Sequence, residues 1–121
     1  MIQGAAQPEL FESLLLELRR GAIVLAVLAQ LRAEQYGYSL KKSLSDGGLK
    51  VDEGTLYPLL RRLQTQGLLD SRWSVDDGRL RRYYTISALG EDALRAMTGE
   101  WNQISEAIGR LIHATSSTRN D

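Results

Sequence analysis

Cysteine is absent from the 121 residues, so the chain has no disulfide, no thiolate metal site and no sulfur nucleophile. Histidine occurs once, as His113, which removes most metal-site and general-base chemistry. A His/Cys/carboxylate constellation and a glycine-rich phosphate loop are both missing, so neither an enzyme nor a bound cofactor or metal is expected. No apolar run reaches the roughly 18 residues of a membrane helix. The longest, Ala22 to Leu31, stops at Arg32. The N-terminus lacks a basic region followed by an apolar core and a small-residue cleavage site. The expectation is a cytoplasmic protein with no membrane partner. Net charge is also missing: 15 Lys and Arg balance 15 Asp and Glu, which taken alone argues against nucleic acid.

The distribution of that charge says otherwise. Residues 36–86 carry nine basic and six acidic side chains, a local +3, while residues 1–35 and 87–121 stand at −1 and −2. Binding responds to local potential at the contact face, so the asymmetry outweighs the sum. Length and composition fit one globular domain, with 43% hydrophobic and 25% charged residues. A domain this small buries only about two-thirds of its unfolded surface, so a leftover apolar stripe favours a partner subunit.

The chain is organised around Asp52 to Gly67. Leu56, Leu59, Leu60 and Leu63 recur at helical spacing, Asp52 suits an N-cap, and Gly67 suits a helix stop. At about 100° per residue the face opposite the leucines carries Gly54, Pro58, Arg61 and Thr65, flanked by Tyr57 and Arg62. Gly54 and Thr55 also offer first-turn amides to a phosphate. Pro58 leaves two possibilities: a helix that starts at Tyr57, or a bent one that runs from Glu53.

Before this stretch, Met1 to Gln7 has no periodicity and is expected to fray. Pro8 suits a first helical turn, followed by Leu10, Phe11, Leu14, Leu15 and Leu18 at helical intervals. Arg19-Arg20-Gly21 is a place where that helix breaks or bends. Ala22 to Ala33 is apolar on most sides and is placed at the centre of the domain. Gln35 to Tyr38 reads as a turn with Gly37 the residue able to take positive φ, and Ser39 to Leu44 as a short helix with Lys41 and Lys42 outward. Ser45 to Gly48 is a turn, and Leu49 and Val51 an extended pair.

After it, Leu69, Trp73 and Val75 share one strand face, with Trp73 expected in the core between wing and helices. Asp76-Asp77-Gly78-Arg79 is a hairpin turn leading into a return strand to Ile86, with Tyr83 and Tyr84 half-buried. Arg79, Arg81 and Arg82 on this hairpin are either phosphate or minor-groove contacts or a solubilising loop partly neutralised by Asp76 and Asp77. Ser87 is an N-cap. The last helix, about Ala88 to His113, carries Leu94, Met97, Trp101, Ile104, Ile108 and Leu111 at alternating steps of 3 and 4, a heptad seam for dimerisation. Trp101, with Met97 a turn before it, is either plain interface packing or the flat wall of a ligand pocket between subunits. His113 is given no role.

Helix, stop and basic hairpin form the layout of a winged helix-turn-helix. Tyr36-Gly37-Tyr38, the run Gly54-Thr55-Leu56-Tyr57-Pro58 through Leu63, Gly67-Leu68, and Arg81 to Ser87 with Gly90 together resemble the PadR-type transcriptional regulators over roughly residues 15–113. The resemblance implies a fold that is mainly α with a small β-hairpin, closed by a C-terminal dimerisation helix of the compact subfamily. It implies a single recognition helix through Pro58, from Glu53 to about Gln66. It places Thr55, Tyr57 and Arg61 on the DNA side, Arg79, Arg81 and Arg82 on the wing, and Trp101 beside an apolar or aromatic effector between subunits. The expected organisation is an N-terminal helical arm over 1–20, a DNA-binding domain over 21–87, a dimerisation helix over 88–113 and a disordered tail over 114–121. The expected partners are double-stranded DNA and a second copy of the chain. Lys41, Lys42, Gly54 and Arg62 complete the candidate DNA contacts. A winged-helix protein-interaction module that binds no DNA is the competing reading, favoured by the neutral net charge.

Overall fold

The structure, a computed structural model, describes residues 7–120, with side chains through Ala114. The expected fraying before Gln7 therefore falls outside the described residues. The order is α1 (Pro8–Gln30), β1 (Gln35–Tyr36), α2 (Gly37–Asp46), α3 (Glu53–Thr65), β2 (Leu69–Asp76), β3 (Arg79–Ile86) and α4 (Ala88–Asn120). The three strands form one antiparallel sheet in the order β1-β3-β2. The chain is thus mainly helical with a small sheet, as its pattern implies.

The core is a leucine cluster under the sheet. Val27, Leu28 and Leu31 at the end of α1, Leu40 and Leu44 of α2, and Leu56, Leu60 and Leu63 of α3 are all buried, with Val51, Leu69 and Tyr84 completing it. Each such side chain contributes about 1.5–3 kcal/mol by leaving water. The end of α1 is also fixed to the sheet, because the Ile86 amide donates to the Leu31 carbonyl at 2.8 Å.

Several expectations are corrected. Helix α1 runs unbroken through Gly21, whose open surroundings leave only the ordinary cost of a helical glycine, about 1 kcal/mol. The boundary placed between residues 20 and 21 therefore falls inside a helix, and that helix stops at Gln30 instead of Ala33. The stretch read as a turn holds a third strand: Gln35 and Tyr36 pair with Tyr84 and Tyr83. Two residues are too few for an alternating pattern to show. Gly37 is the first residue of α2 and is not among the residues of positive φ. Leu49 and Val51 form no strand but pack against the core. Trp73 is 60% exposed, because a cavity separates it from Tyr57, Leu60 and Arg61 of α3 and only Leu69 on its strand face reaches the core. Finally, α4 continues through the segment expected to be a disordered tail, as no glycine or proline stops it before Asn120.

Other local signals hold. Pro58 lies inside α3, which spans Glu53–Thr65. Gly67 has φ +83°, and the Leu68 amide reaches back to the Leu63 carbonyl at 2.9 Å, closing the helix end. Asp77 and Gly78 both have positive φ, as a two-residue hairpin turn of the favoured twist requires. The Ser87 hydroxyl accepts from the Gly90 amide at 3.0 Å and donates to the Gly67 carbonyl at 2.6 Å, so one side chain caps α4 and fastens it to the end of α3.

Candidate nucleic-acid interface

Helix α3 buries Leu56, Leu60 and Leu63 and turns Gly54, Thr55, Pro58, Arg61, Arg62 and Thr65 outward. The proline sits on this outward ridge, one turn after the helix start. The carbonyl its ring leaves without a partner faces water there, which is where such a gap costs least. The Thr55 amide donates to the Asp52 carbonyl at 3.1 Å, so it is not the free phosphate donor expected of it. The two flanks of the ridge face different neighbours. Tyr57 and Arg61 look toward the wing across a cavity of about 320 Å³, also lined by Tyr38, Trp73, Arg81 and Arg82. Thr55, Pro58 and Arg62 look toward α1.

Tyr57 is positioned by what Gly37 lacks. A Cβ on Gly37 would lie 2.6 Å from Tyr57 Cε1, so the ring is seated where any side chain at 37 would stand. Burial there raises the Tyr57 pKa above its ordinary 10.0.

The wing arginines divide into two kinds. Arg79 at the tip is exposed and makes no ion pair among the described residues. Arg81 lies over the Tyr36 ring, 4.4 Å from its centroid. Arg82 donates to Ser71 Oγ at 3.2 Å and to Gln64 Oε1 at 2.5 Å, and it also sits over Trp73 and Tyr84. It therefore ties the wing to the last turn of α3. Of the two acids expected to neutralise the wing, Asp76 accepts from the Tyr83 hydroxyl, while Asp77 stays exposed at the turn. That bond raises the Tyr83 pKa.

On the other side of the hairpin, Arg72 forms a two-pronged pair with Glu34, both contacts at 2.7 Å, and stands 4.9 Å from the Tyr83 centroid. The guanidinium holds Glu34 below the ordinary glutamate value. This tether, between β2 and the loop after α1, joins residues 38 positions apart. A sequence pattern carries no sign of it. Lys41 and Lys42 reach Glu53 and Asp46 at 3.5 and 3.8 Å. These are weak surface pairs, and Lys41 is half-buried instead of pointing freely outward. Reading the sequence missed Tyr38 and Trp73, both 60% exposed beside the ridge. The available signal was their place in the chain, Tyr38 just before Lys41 and Lys42 and Trp73 directly after Arg72.

On α4 the intended seam is split. Leu94 and Met97 pack against the core, while Trp101, Ile104, Ile108 and Leu111 are exposed, Trp101 by 46%.

Known proteins match this arrangement over most of its length. The profile of the Transcriptional regulator PadR-like family matches residues 24–96. The chain belongs to the PadR-like family of transcriptional regulators. A transcriptional regulator of Mycobacterium tuberculosis is 43% identical over 103 residues, which are 84% of this chain and 94% of the relative. The crystal structure of a PadR family transcriptional regulator from Eggerthella lenta superposes with a TM-score of 0.81 at 42% identity, covering 89% of this chain and 96% of that one. A PadR-like regulator from Bacillus cereus gives 0.71 at 29% identity, over 79% and 96% of the two chains. The winged fold of this chain is thus the fold of its PadR-family neighbours. Among the described residues no helix is long and apolar enough to cross a membrane.

Proposed function

We propose that this PadR-family regulator is a homodimeric, cytoplasmic repressor that reads a pseudo-palindromic operator. The observation that carries the reading is the α3 ridge: Gly54, Thr55, Arg61 and Arg62 stand exposed on a helix whose other face is sealed into the core, beside a braced wing. Two copies would place two such helices in successive major grooves, about 34 Å apart. Tyr57 and Arg61 would meet base edges or the adjoining backbone. Gly54 and Thr55 let the helix approach closely, Thr55 through its hydroxyl. Arg62, Arg79, Arg81, Arg82, Lys41 and Lys42 supply positive potential to phosphates. Because Arg81 and Arg82 are already held by neighbouring rings and amides, little side-chain entropy remains to be lost on binding.

The second copy is proposed to dock through the exposed half of the α4 seam, Trp101, Ile104, Ile108 and Leu111, with Leu94 and Met97 at its root. A small apolar or aromatic effector would sit against Trp101 and Met97 between subunits and change the spacing of the recognition helices. The decisive experiment is a gel shift with DNA selected by the purified protein from a genomic pool. Tyr57→Ala and Arg61→Ala should each weaken binding by about 1–3 kcal/mol. An unchanged affinity in the double variant would sink the assignment. The non-binding alternative predicts no salt-dependent association with any duplex, selected or random.

A further inference from the structure

The α1-facing flank of α3 closes a cleft that shares only Thr55 and Arg62 with the proposed DNA contacts. It has a volume of about 400 Å³, within the range typical of small-molecule sites. Its walls are the middle of α1, the segment leading into α3, and the Thr55, Pro58, Leu59 and Arg62 side of α3. Two kinds of side chain line it. Leu16, Ile23, Val24, Val51, Pro58 and Leu59 give it an apolar floor. Arg19, Arg20, Lys50 and Arg62 stand around this floor with a single acid, Asp52. Arg19 is spent in part on the wall itself, donating to the Lys50 carbonyl at 2.6 Å. Arg20, Lys50 and Arg62 have no ion-pair partner among the described residues.

We infer that this cleft binds an amphipathic anion: a carboxylate carrying a medium-length acyl chain. The charge excess selects an anionic head, since the cations outnumber the one carboxylate. The floor selects an apolar body. A DNA phosphate would satisfy the cations but would gain nothing from six apolar side chains, whereas each methylene buried there strengthens binding by up to about fourfold until the cleft is full. The site lies within one chain and apart from Trp101, so it differs from the effector position between subunits.

Its occupant touches α1 and α3 together. Filling the cleft changes how the recognition helix sits against the helix whose first half is exposed and apolar. This regulatory consequence rests on the DNA reading; the binding itself does not.

The test uses the intact protein and decanoate, followed by calorimetry, with decylammonium as a tail-matched cation. Decanoate should bind saturably at one per chain, and decylammonium at least about tenfold more weakly. Arg20→Glu should weaken decanoate by about tenfold or more, and Leu16→Glu, at an exposed position, should abolish it. Decanoate should then change duplex affinity in the parent protein but not in Arg20→Glu. Absence of saturable binding, equal binding of both amphiphiles, or decanoate affinity unchanged in both variants overturns the site. A parent that refuses decanoate but turns monomeric on Leu16→Glu overturns it too, by showing that a second copy covers the cleft. Decanoate binding without any duplex binding would leave the site standing and remove the regulator reading. Duplex binding without decanoate binding would do the reverse.

Discussion

The two halves of α1 have similar apolar content and opposite fates. From Ile23 onward, Val27, Leu28 and Leu31 are buried to completion or nearly so. Before Arg19, Leu10, Phe11, Leu14, Leu15, Leu16 and Leu18 are all exposed, Leu18 by 75%. The helix is continuous, so its own backbone does not account for the difference. What stands opposite does: the second half packs against α2, α4 and the leucine core, whereas the first half is left open, with Leu16 edging the cleft shared with α3. Helix α4 repeats the contrast, with Leu94 and Met97 packed and Ile104, Ile108 and Leu111 exposed. One chain completes the winged domain, while both exposed helix stretches carry the apolar surface on which the proposed second copy would dock. An exposed apolar patch of this extent marks an interaction surface in a soluble protein.

Substitution in each half of α1 puts this to the test, with the largest effect expected from the buried half. Leu28→Ala should cost about 2–5 kcal/mol in unfolding free energy at every protein concentration. Leu14→Glu should leave the winged core intact but weaken assembly, so that a Tm rising with concentration in the parent becomes flat in the variant. Sedimentation read beside thermal scans decides it. A Leu14→Glu protein of unchanged mass and unchanged concentration dependence would break the contrast, leaving the exposed half without a partner role.

A smaller effect is expected where the winged half is tightest. Gly37→Ala places a methyl 2.6 Å from the Tyr57 ring, so the ring must move or α2 must shift. Overpacking of this kind costs about 1–3 kcal/mol in stability. Operator affinity should fall as well, because Tyr57 leaves its seat. A variant with parental stability and parental DNA affinity would show that Tyr57 has no role at that place.

Much of the winged half was legible because its signals are local. The leucine spacing of α3, Gly67 at its end, the Asp77-Gly78 turn and the Ser87 cap each act within a few residues, and each appears where the pattern put it. Pro58 was legible only through the family run, since propensity alone allowed a helix starting at Tyr57. The rest depends on contacts distant in sequence. Glu34 with Arg72, Arg82 with Gln64, and Tyr36 with Tyr83 are set by how the hairpin folds back over α2 and α3, which no periodicity encodes. Trp73 was misplaced for the same reason: alternation told which residues share its strand face, not that a cavity separates that face from α3 at this point. The three wing arginines looked alike in the chain and differ entirely in what holds them.

That difference makes the next prediction. Arg79→Ala removes an unheld cation and should lower the salt slope of duplex binding by about one unit. Arg72→Ala removes no proposed DNA contact but frees Glu34 and uncovers the Tyr83 ring. Its salt slope should stay parental, while amide exchange along β2 and β3 speeds up. If both variants lowered the slope alike, Arg72 would be a phosphate contact and not a brace.

The smallest effect concerns the same brace and its pH dependence. Arg72 lowers the Glu34 pKa beneath the ordinary 4.5, so the folded protein binds fewer protons at this carboxyl than the unfolded chain does. Stability from the pair is then fully present above about pH 4.5 and is lost as pH falls through the lowered folded value. Glu34→Gln removes this contribution. The urea midpoints of parent and variant should differ most near about pH 6 and converge toward about pH 3. Both partners are solvent-exposed, so the difference should shrink with salt as well as with acid. A gap that held constant across the whole range would mean that Glu34 braces the wing through its shape and hydrogen bonds, not its charge.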